Sequence, residues 1–480
     1  MKKVIHVLAG GVAICSLIAG GNAVAAPAKN KAQNLKKELE STEAHESTRR
    51  HKSREGWDLG SGWKLNTTGG LSYVNPQNAD YWVKLSGVMR LDETAFMGSY
   101  RDKASYSANQ TGAVAGATPS SQKIASGALF RLIELYLEGG LGENWEYSLT
   151  LSYGGGQSTK ASIGDTWLSY MGLLENNQIY VGRVPGNWFG LDNANSGSWN
   201  PFLERSMIAH TFYPGDGLGV MTDFWWENGG LTLAAFQPDQ KDNRASSVNP
   251  GANTTAIYGA RDRWAATARA TVAPVHNAGD VWHFGVSGAW RETLSSYNGE
   301  ANTTAIAYTG GPSARSRATV PGDGLLSTGG IQANNARLFN VEAARQIGSF
   351  MLEGEYTTAF VHRVNGNLGT LRFDGWNIQA RYLLTGEHHA YDVRDGNFGT
   401  VVPNAHYGAF EVAARYDFIN LNNKDVQGGS EHDVSVGLNW FVNKQLRLST
   451  NYIRASIHPN SSQAKRNLDI VAARLQVRFK

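Results

Sequence analysis

From Tyr81 onward apolar and polar residues alternate in runs of about ten, so the chain must build strands with one dry face and one wet face. Trp376, Ile378, Ala380, Tyr382 and Leu384 share one face of such a run, with Asn377, Gln379, Arg381 and Thr385 on the other. Phe410, Val412, Ala414, Tyr416 and Phe418 repeat the pattern against Glu411, Arg415 and Asp417, and Val434, Val436, Leu438, Trp440 and Val442 repeat it again. A soluble sandwich alternates in the same way, so the connections have to decide. Sixteen strands are expected, near 81–97, 128–138, 143–153, 163–171, 178–184, 218–226, 230–237, 262–272, 281–291, 337–347, 349–361, 371–385, 407–419, 431–442, 445–456 and 468–479. If the first strand starts from the periplasm, that rim receives short turns: Gly139 to Gly142, Glu227-Asn228-Gly229, Ile347-Gly348-Ser349 and Asn443-Lys444. The opposite rim receives 98–127, 185–217, 238–261 and 292–336, long and rich in Gly, Ser, Asn and Thr. That asymmetry belongs to bacterial outer-membrane barrels. The expected fold is all-β: a 16-stranded antiparallel transmembrane β-barrel over 81–480, with long extracellular loops and a short N-terminal periplasmic tail. One connection departs from this reading, because 386–406 is long on the rim where turns should be short.

The start of the chain points to export. Met1-Lys2-Lys3, an apolar run from Val4 to Ile18, and Ala23-Val24-Ala25 form the three parts of a secretory signal, with cleavage expected after Ala25. The run is too short to span a membrane, and no later stretch reaches about 18 apolar residues, which excludes a helical membrane protein. Cys15 is the single cysteine and falls in this leader, so a cleaved chain has no disulfide. Residues 26–80 form a lead-in; between 27 and 56 stand eight Lys or Arg and five Glu with almost no large apolar residue. This is a solvated basic tail, able to touch peptidoglycan or anionic lipid. The 55 glycines and the 14 Trp, 19 Tyr and 17 Phe suit turns and interfacial girdles. The expected location is the Gram-negative outer membrane.

Several blocks are similar to the phosphate-selective porin O and P family. The strongest is Val181-Gly182-Arg183 through GNWFGLDNANSGSWNPFLERSM, in which Phe189-Gly190-Leu191 and Leu203-Glu204-Arg205-Ser206 match the family signature, followed by PGDGLGV from Pro214 to Val220. The C-terminal blocks GWNIQARYLLTGE (375–387), GAFEVAARYDFINLNN (408–423) and VSVGLNWFVNKQLRLSTNY (434–452) resemble it as well. The last strand ends on Phe479 followed by Lys480, where barrels of this kind usually end on the aromatic residue itself. The resemblance covers roughly 81–480 and implies a homotrimeric anion channel, for phosphate or polyphosphate, with ordered Arg and Lys in its lumen.

Anion preference in a wide pore needs basic side chains facing water where the walls focus their field, and arginine adds a planar fork for phosphate oxygens. Alternation places Arg269, Arg381, Arg415, Arg447, Arg474 and Arg478 on the lumen side, with Arg291 at a strand end. Those positions favour long polar residues in any barrel, and Glu353, Glu355, Glu411 and Asp417 on the same side could cancel them. Net charge adds no support: the leader holds 2 and the tail 8 of the 44 basic residues, and the tail 5 of the 41 acidic ones, leaving 34 basic against 36 acidic. Segment 187–217 is the expected constriction loop, with Trp188, Phe189, Trp199 and Phe202 to wedge it against the wall and Asp192, Glu204 and Arg205 to fix it by ion pairing. His388-His389, Asp392 and His210 lack the spaced partners of a metal site or a catalytic triad. The sequence therefore points to diffusion of small solutes with no enzyme chemistry, no cofactor, no metal and no nucleic acid. A general non-selective porin, a barrel enzyme and a surface adhesin or structural barrel are the alternatives.

Overall fold

A computed structural model of the chain describes residues 57–60, 63–66, 70–97, 126–154, 161–184, 188–238, 264–292, 305–315, 325–399, 401–459 and 465–479. The expected signal peptide, the basic tail to residue 56 and much of the long loops lie outside the described residues. Sixteen long strands run antiparallel to their neighbours. They are β1 Tyr81–Met97, β2 Gly127–Leu141, β3 Trp145–Tyr153, β4 Ser162–Met171, β5 Asn177–Val184, β6 Gly217–Trp226, β7 Gly229–Pro238 and β8 Ala265–Asn277. The second half comprises β9 Asp280–Glu292, β10 Ile331–Ile347, β11 Phe350–Arg363, β12 Leu371–Leu383, β13 Ala409–Asn423, β14 Val426–Phe441, β15 Leu446–His458 and β16 Arg466–Arg478. β16 pairs back onto β1 from Asp469↔Met97 to Arg478↔Val88, which closes the sheet and leaves the barrel no open edge.

Closure in this register puts the dry faces outside. On β12, Ile378 is 45% exposed while its neighbours Gln379 and Arg381 are each 3% exposed. The same alternation holds along β13 and β14, where Val412, Tyr416, Val434, Val436 and Leu438 are exposed and Glu411, Arg415, Asp417 and Ser435 are buried. From Trp376 to Leu384 the outer face runs about 27 Å along the strand at about 3.4 Å per residue. Tilted by about 40°, it covers most of the ~25 Å apolar band of an outer-membrane barrel. Rings mark both edges of that band. Phe410 stacks on Trp440 at 5.6 Å on the short-turn rim, and Trp376 on Tyr416 at 5.2 Å toward the other rim.

Local chemistry sets the turns. Asn176 adopts φ 53°, a left-handed conformation that asparagine tolerates, and closes the turn between β4 and β5. The Asn443 side chain accepts from the backbone N–H of Gln445 and of Leu446, both at 2.8 Å, and closes the turn between β14 and β15. Three short strands, Trp57–Gly60, Trp63–Asn66 and Gly70–Val74, precede the barrel, and the last pairs with β1 from Leu71↔Leu85 to Val74↔Trp82, beyond the end of β16. Gly70 permits that approach: a Cβ there would lie 2.1 Å from the Leu85 carbonyl oxygen.

Among the described residues, three segments fill the interior. Residues 188–216 fold in from the long-loop rim and carry two short helices, α1 Leu191–Ala194 and α2 Met207–Thr211. Residues 305–315 pack onto α2, with Thr211 Oγ1 donating to the Thr309 carbonyl at 3.0 Å. The third is 384–408, the long connection between β12 and β13. It turns back into the barrel from the short-turn rim, so its length serves the interior and not the exposed rim.

Candidate functional site

The arginines that alternation turns inward do face the interior, and most of them hold the inward segments. Arg447 donates to the carbonyls of Ser198 (2.8 Å) and Asn200 (2.7 Å). Arg381 pairs with Glu353 at 3.0 Å and donates to the Trp199 carbonyl at 3.2 Å. Arg415 pairs with Asp417 at 2.6 Å, donates to the Glu204 carbonyl at 3.2 Å, and lies 4.4 Å over the Phe202 ring. Arg474 binds both Asp92 carboxylate oxygens at 2.7 Å. Arg478 covers Trp199 at 4.4 Å, and Trp199 packs at 6.2 Å against Phe441. Arg269 pairs with Glu342 at 2.6 Å and donates to the carbonyls of Asp395 and Gly396. Arg291, near the long-loop end of β9, stands within electrostatic reach of Tyr308. Glu353 and Asp417 thus neutralise two of these arginines, and Glu411 instead meets His389 at 2.6 Å.

The acidic residues of the loop do two different jobs. Asp192 organises it internally, accepting from Asn200 Nδ2 at 2.7 Å and from the Ser206 N–H at 2.6 Å. Glu204 forms its ion pair with Arg131 of β2, at 2.6 and 2.9 Å, and not with its neighbour Arg205. Arg205 instead donates to the carbonyls of Asp192, Asn193 and Asn195. Burial alone would raise the Glu204 carboxyl, but Arg131, together with Arg315 and Arg474, holds it well below the usual carboxylate range. Phe189 is buried among Met207, Ile208 and Phe212, and Trp188 packs against the cluster around Tyr180 and Phe236. His210 lies 3.7 Å from Glu204.

Side-chain exposure separates two sets of cations. Arg381, Arg415 and Arg474 are 2%, 1% and 5% exposed, whereas Arg131, Arg315 and Arg394 are 19%, 20% and 18% exposed. Loop 188–216 is held by the arginines of β12–β16 and also by β1 and β2, where Arg90 donates to Ser198 Oγ at 3.0 Å and Arg131 pairs with Glu204. The more accessible cations escaped the sequence reading for physical reasons. Arg131 sits at a bulge, where the register with β1 shifts between Arg90 and Leu91 and the period of two breaks. Arg315 and Arg394 sit in connections that alternation does not reach.

A closed barrel with an apolar outer belt and a charged interior narrowed by inward segments is an outer-membrane porin-type channel. The chain belongs to the phosphate-selective porin O and P family, whose model matches residues 108–479. Over 420 residues it is 25% identical to Porin O of Pseudomonas aeruginosa, covering 82% of this chain and 86% of that protein. An uncharacterized protein of Caulobacter vibrioides is 26% identical over 337 residues, covering 68% of this chain and 62% of the other. Similar solved structures include OprB of Pseudomonas putida at high pH (TM-score 0.48, 10% identity, 83% of this chain and 94% of that one). The outer membrane channel DcaP of Acinetobacter baumannii is another (TM-score 0.45, 11% identity, 88% and 100%). The protein is located in the outer membrane.

Proposed function

We propose that this porin passes small solutes by diffusion, with a preference for anions such as phosphate or polyphosphate and without chemistry on them. The observation that carries this reading is the more exposed set Arg131, Arg315 and Arg394, of which Arg131 and Arg315 share the single charge of Glu204. Facing walls of low dielectric concentrate the field of such cations on a passing anion. The wall arginines then act indirectly, by holding loop 188–216 in place. A non-selective porin is the second reading, because Asp165 and Asp216, paired with Arg183 at 3.5 and 3.3 Å, are 40% and 20% exposed. A cleaved leader ending at Ala25, a tail touching peptidoglycan and a homotrimer complete the proposal; the trimer rests on the family resemblance.

The test is the reversal potential of the purified protein in a planar bilayer under a salt gradient. Wild type should favour anions, with the preference fading as salt rises from about 0.1 M to about 1 M and the Debye length falls from ~10 to ~3 Å. Arg315→Glu should shift the potential toward cations. A cation-selective wild type, or no shift on charge reversal, would overturn the anion preference.

A further inference from the structure

The segment 384–408 spans the interior. On one side it is fixed to the wall: Gln346 exchanges two hydrogen bonds with the His389 backbone at 3.0 and 3.1 Å, and the Tyr391 hydroxyl lies 2.7 Å from His283 Nδ1. Its tip reaches the opposite wall, where Arg394 donates to the Tyr180 hydroxyl at 2.8 Å and to Gln178, and lies 4.2 Å over the Trp225 ring. Gly230 of β7 makes room for the tip, since a Cβ there would come within 2.5 Å of the Arg394 carbonyl oxygen. Between these anchors the segment meets the constriction loop. The Phe398 N–H donates to Asn195 Oδ1 at 2.8 Å, Asn397 Nδ2 donates to the Ala194 carbonyl at 3.3 Å, and Phe398 shares a buried cluster with Leu191.

Those contacts fall on the short helix of the loop, beside the Asp192, Asn193 and Asn195 carbonyls that Arg205 holds. Helix α1 is a single turn, too short to be stable alone, and its last carbonyls lack partners within the helix. Asn397 satisfies one of them, and Asn195, the residue that ends the helix, is held between Phe398 and Glu353. We propose that 384–408 is the positioning element of the constriction: through Asn195, Ala194 and Leu191 it sets how far loop 188–216 stands into the passage, so the pore's width is fixed from the short-turn rim. The proposal rests on the porin reading above.

Gly230→Val displaces the tip without touching the loop, and Asn397→Ala removes one contact to it; heat-modifiable migration in detergent gels checks that both variants fold. Each should change the unit conductance. Combined with a loop shortened by residues 196–200, the effect of Gly230→Val should be non-additive, because the segment acts through the loop. A second readout does not depend on conduction. Ser198 is buried, next to Trp199, which shares a buried cluster with Val401 of 384–408, and its carbonyl receives Arg447 and Gln476. In a chain without its leader, which has no other cysteine, Ser198→Cys should react with a water-soluble thiol reagent faster once Gly230→Val or Asn397→Ala is added. Unchanged reactivity in folded variants, or strictly additive conductance effects, would overturn the proposal. A wild type that forms no channel would instead remove the porin reading, and the thiol measurement would still decide whether the segment positions the loop.

Discussion

His389 and Glu204 make the two inward segments lose stability in two different acidic ranges. His389 lies between Glu411 and the Gly399 carbonyl, and burial, then Arg381, holds its imidazole below the ordinary value despite the Glu411 contact. A histidine lowered in this way stabilises the docked segment above an unfolded pKa of about 6.5, and that contribution is lost as pH falls from there through the folded value. Glu204 is a lowered carboxyl, so its contribution is present above about pH 4.3 and is lost only as pH falls through its own folded value. Acidification should therefore loosen 384–408 before loop 188–216, seen as two successive changes in unit conductance. His389→Gln should remove the first change and leave the second. A single change that survives His389→Gln would contradict the assignment.

At the scale of the strand, one face meets lipid and the other the packed interior. Val436, midway along β14 and exposed, should tolerate no charge: Val436→Arg is expected to cost about 2–4 kcal/mol near the bilayer centre. Leu174, exposed in the turn between β4 and β5, should accept arginine at a cost of about 0–1 kcal/mol near the interface. Denaturant unfolding of both variants in lipid vesicles checks the pair, and equal costs would contradict the belt drawn here. This face assignment was legible in the sequence because the β period is local: the exposure of Val434, Val436 and Leu438 follows from spacing alone. The partners of the inward arginines were not legible. The Arg447 contacts to Ser198 and Asn200 join residues far apart in the chain, and nothing near Arg447 signals them. The inward course of 384–408 was equally hidden, because Gly230 and Arg269, which seat it, lie on β7 and β8.

For the molecule as a whole, sixteen strands form a closed wall, a sector of that wall rich in buried arginines and carboxylates holds a loop from one rim, and a segment from the other rim crosses beneath it. Most of the arginines expected to form an anion ladder hold the inward segments and are nearly closed to water, and Arg131, Arg315 and Arg394 are the more accessible cations. Thiol mapping tests that division most directly, because a chain without its leader has no cysteine. Arg131→Cys, Arg315→Cys and Arg394→Cys, made one at a time, should react rapidly with a charged water-soluble thiol reagent and change the conductance as they do. Arg381→Cys and Arg474→Cys should react slowly and leave it unaltered. Rapid modification of the second pair with no modification of the first three would place the passage along β11–β16 and contradict this account.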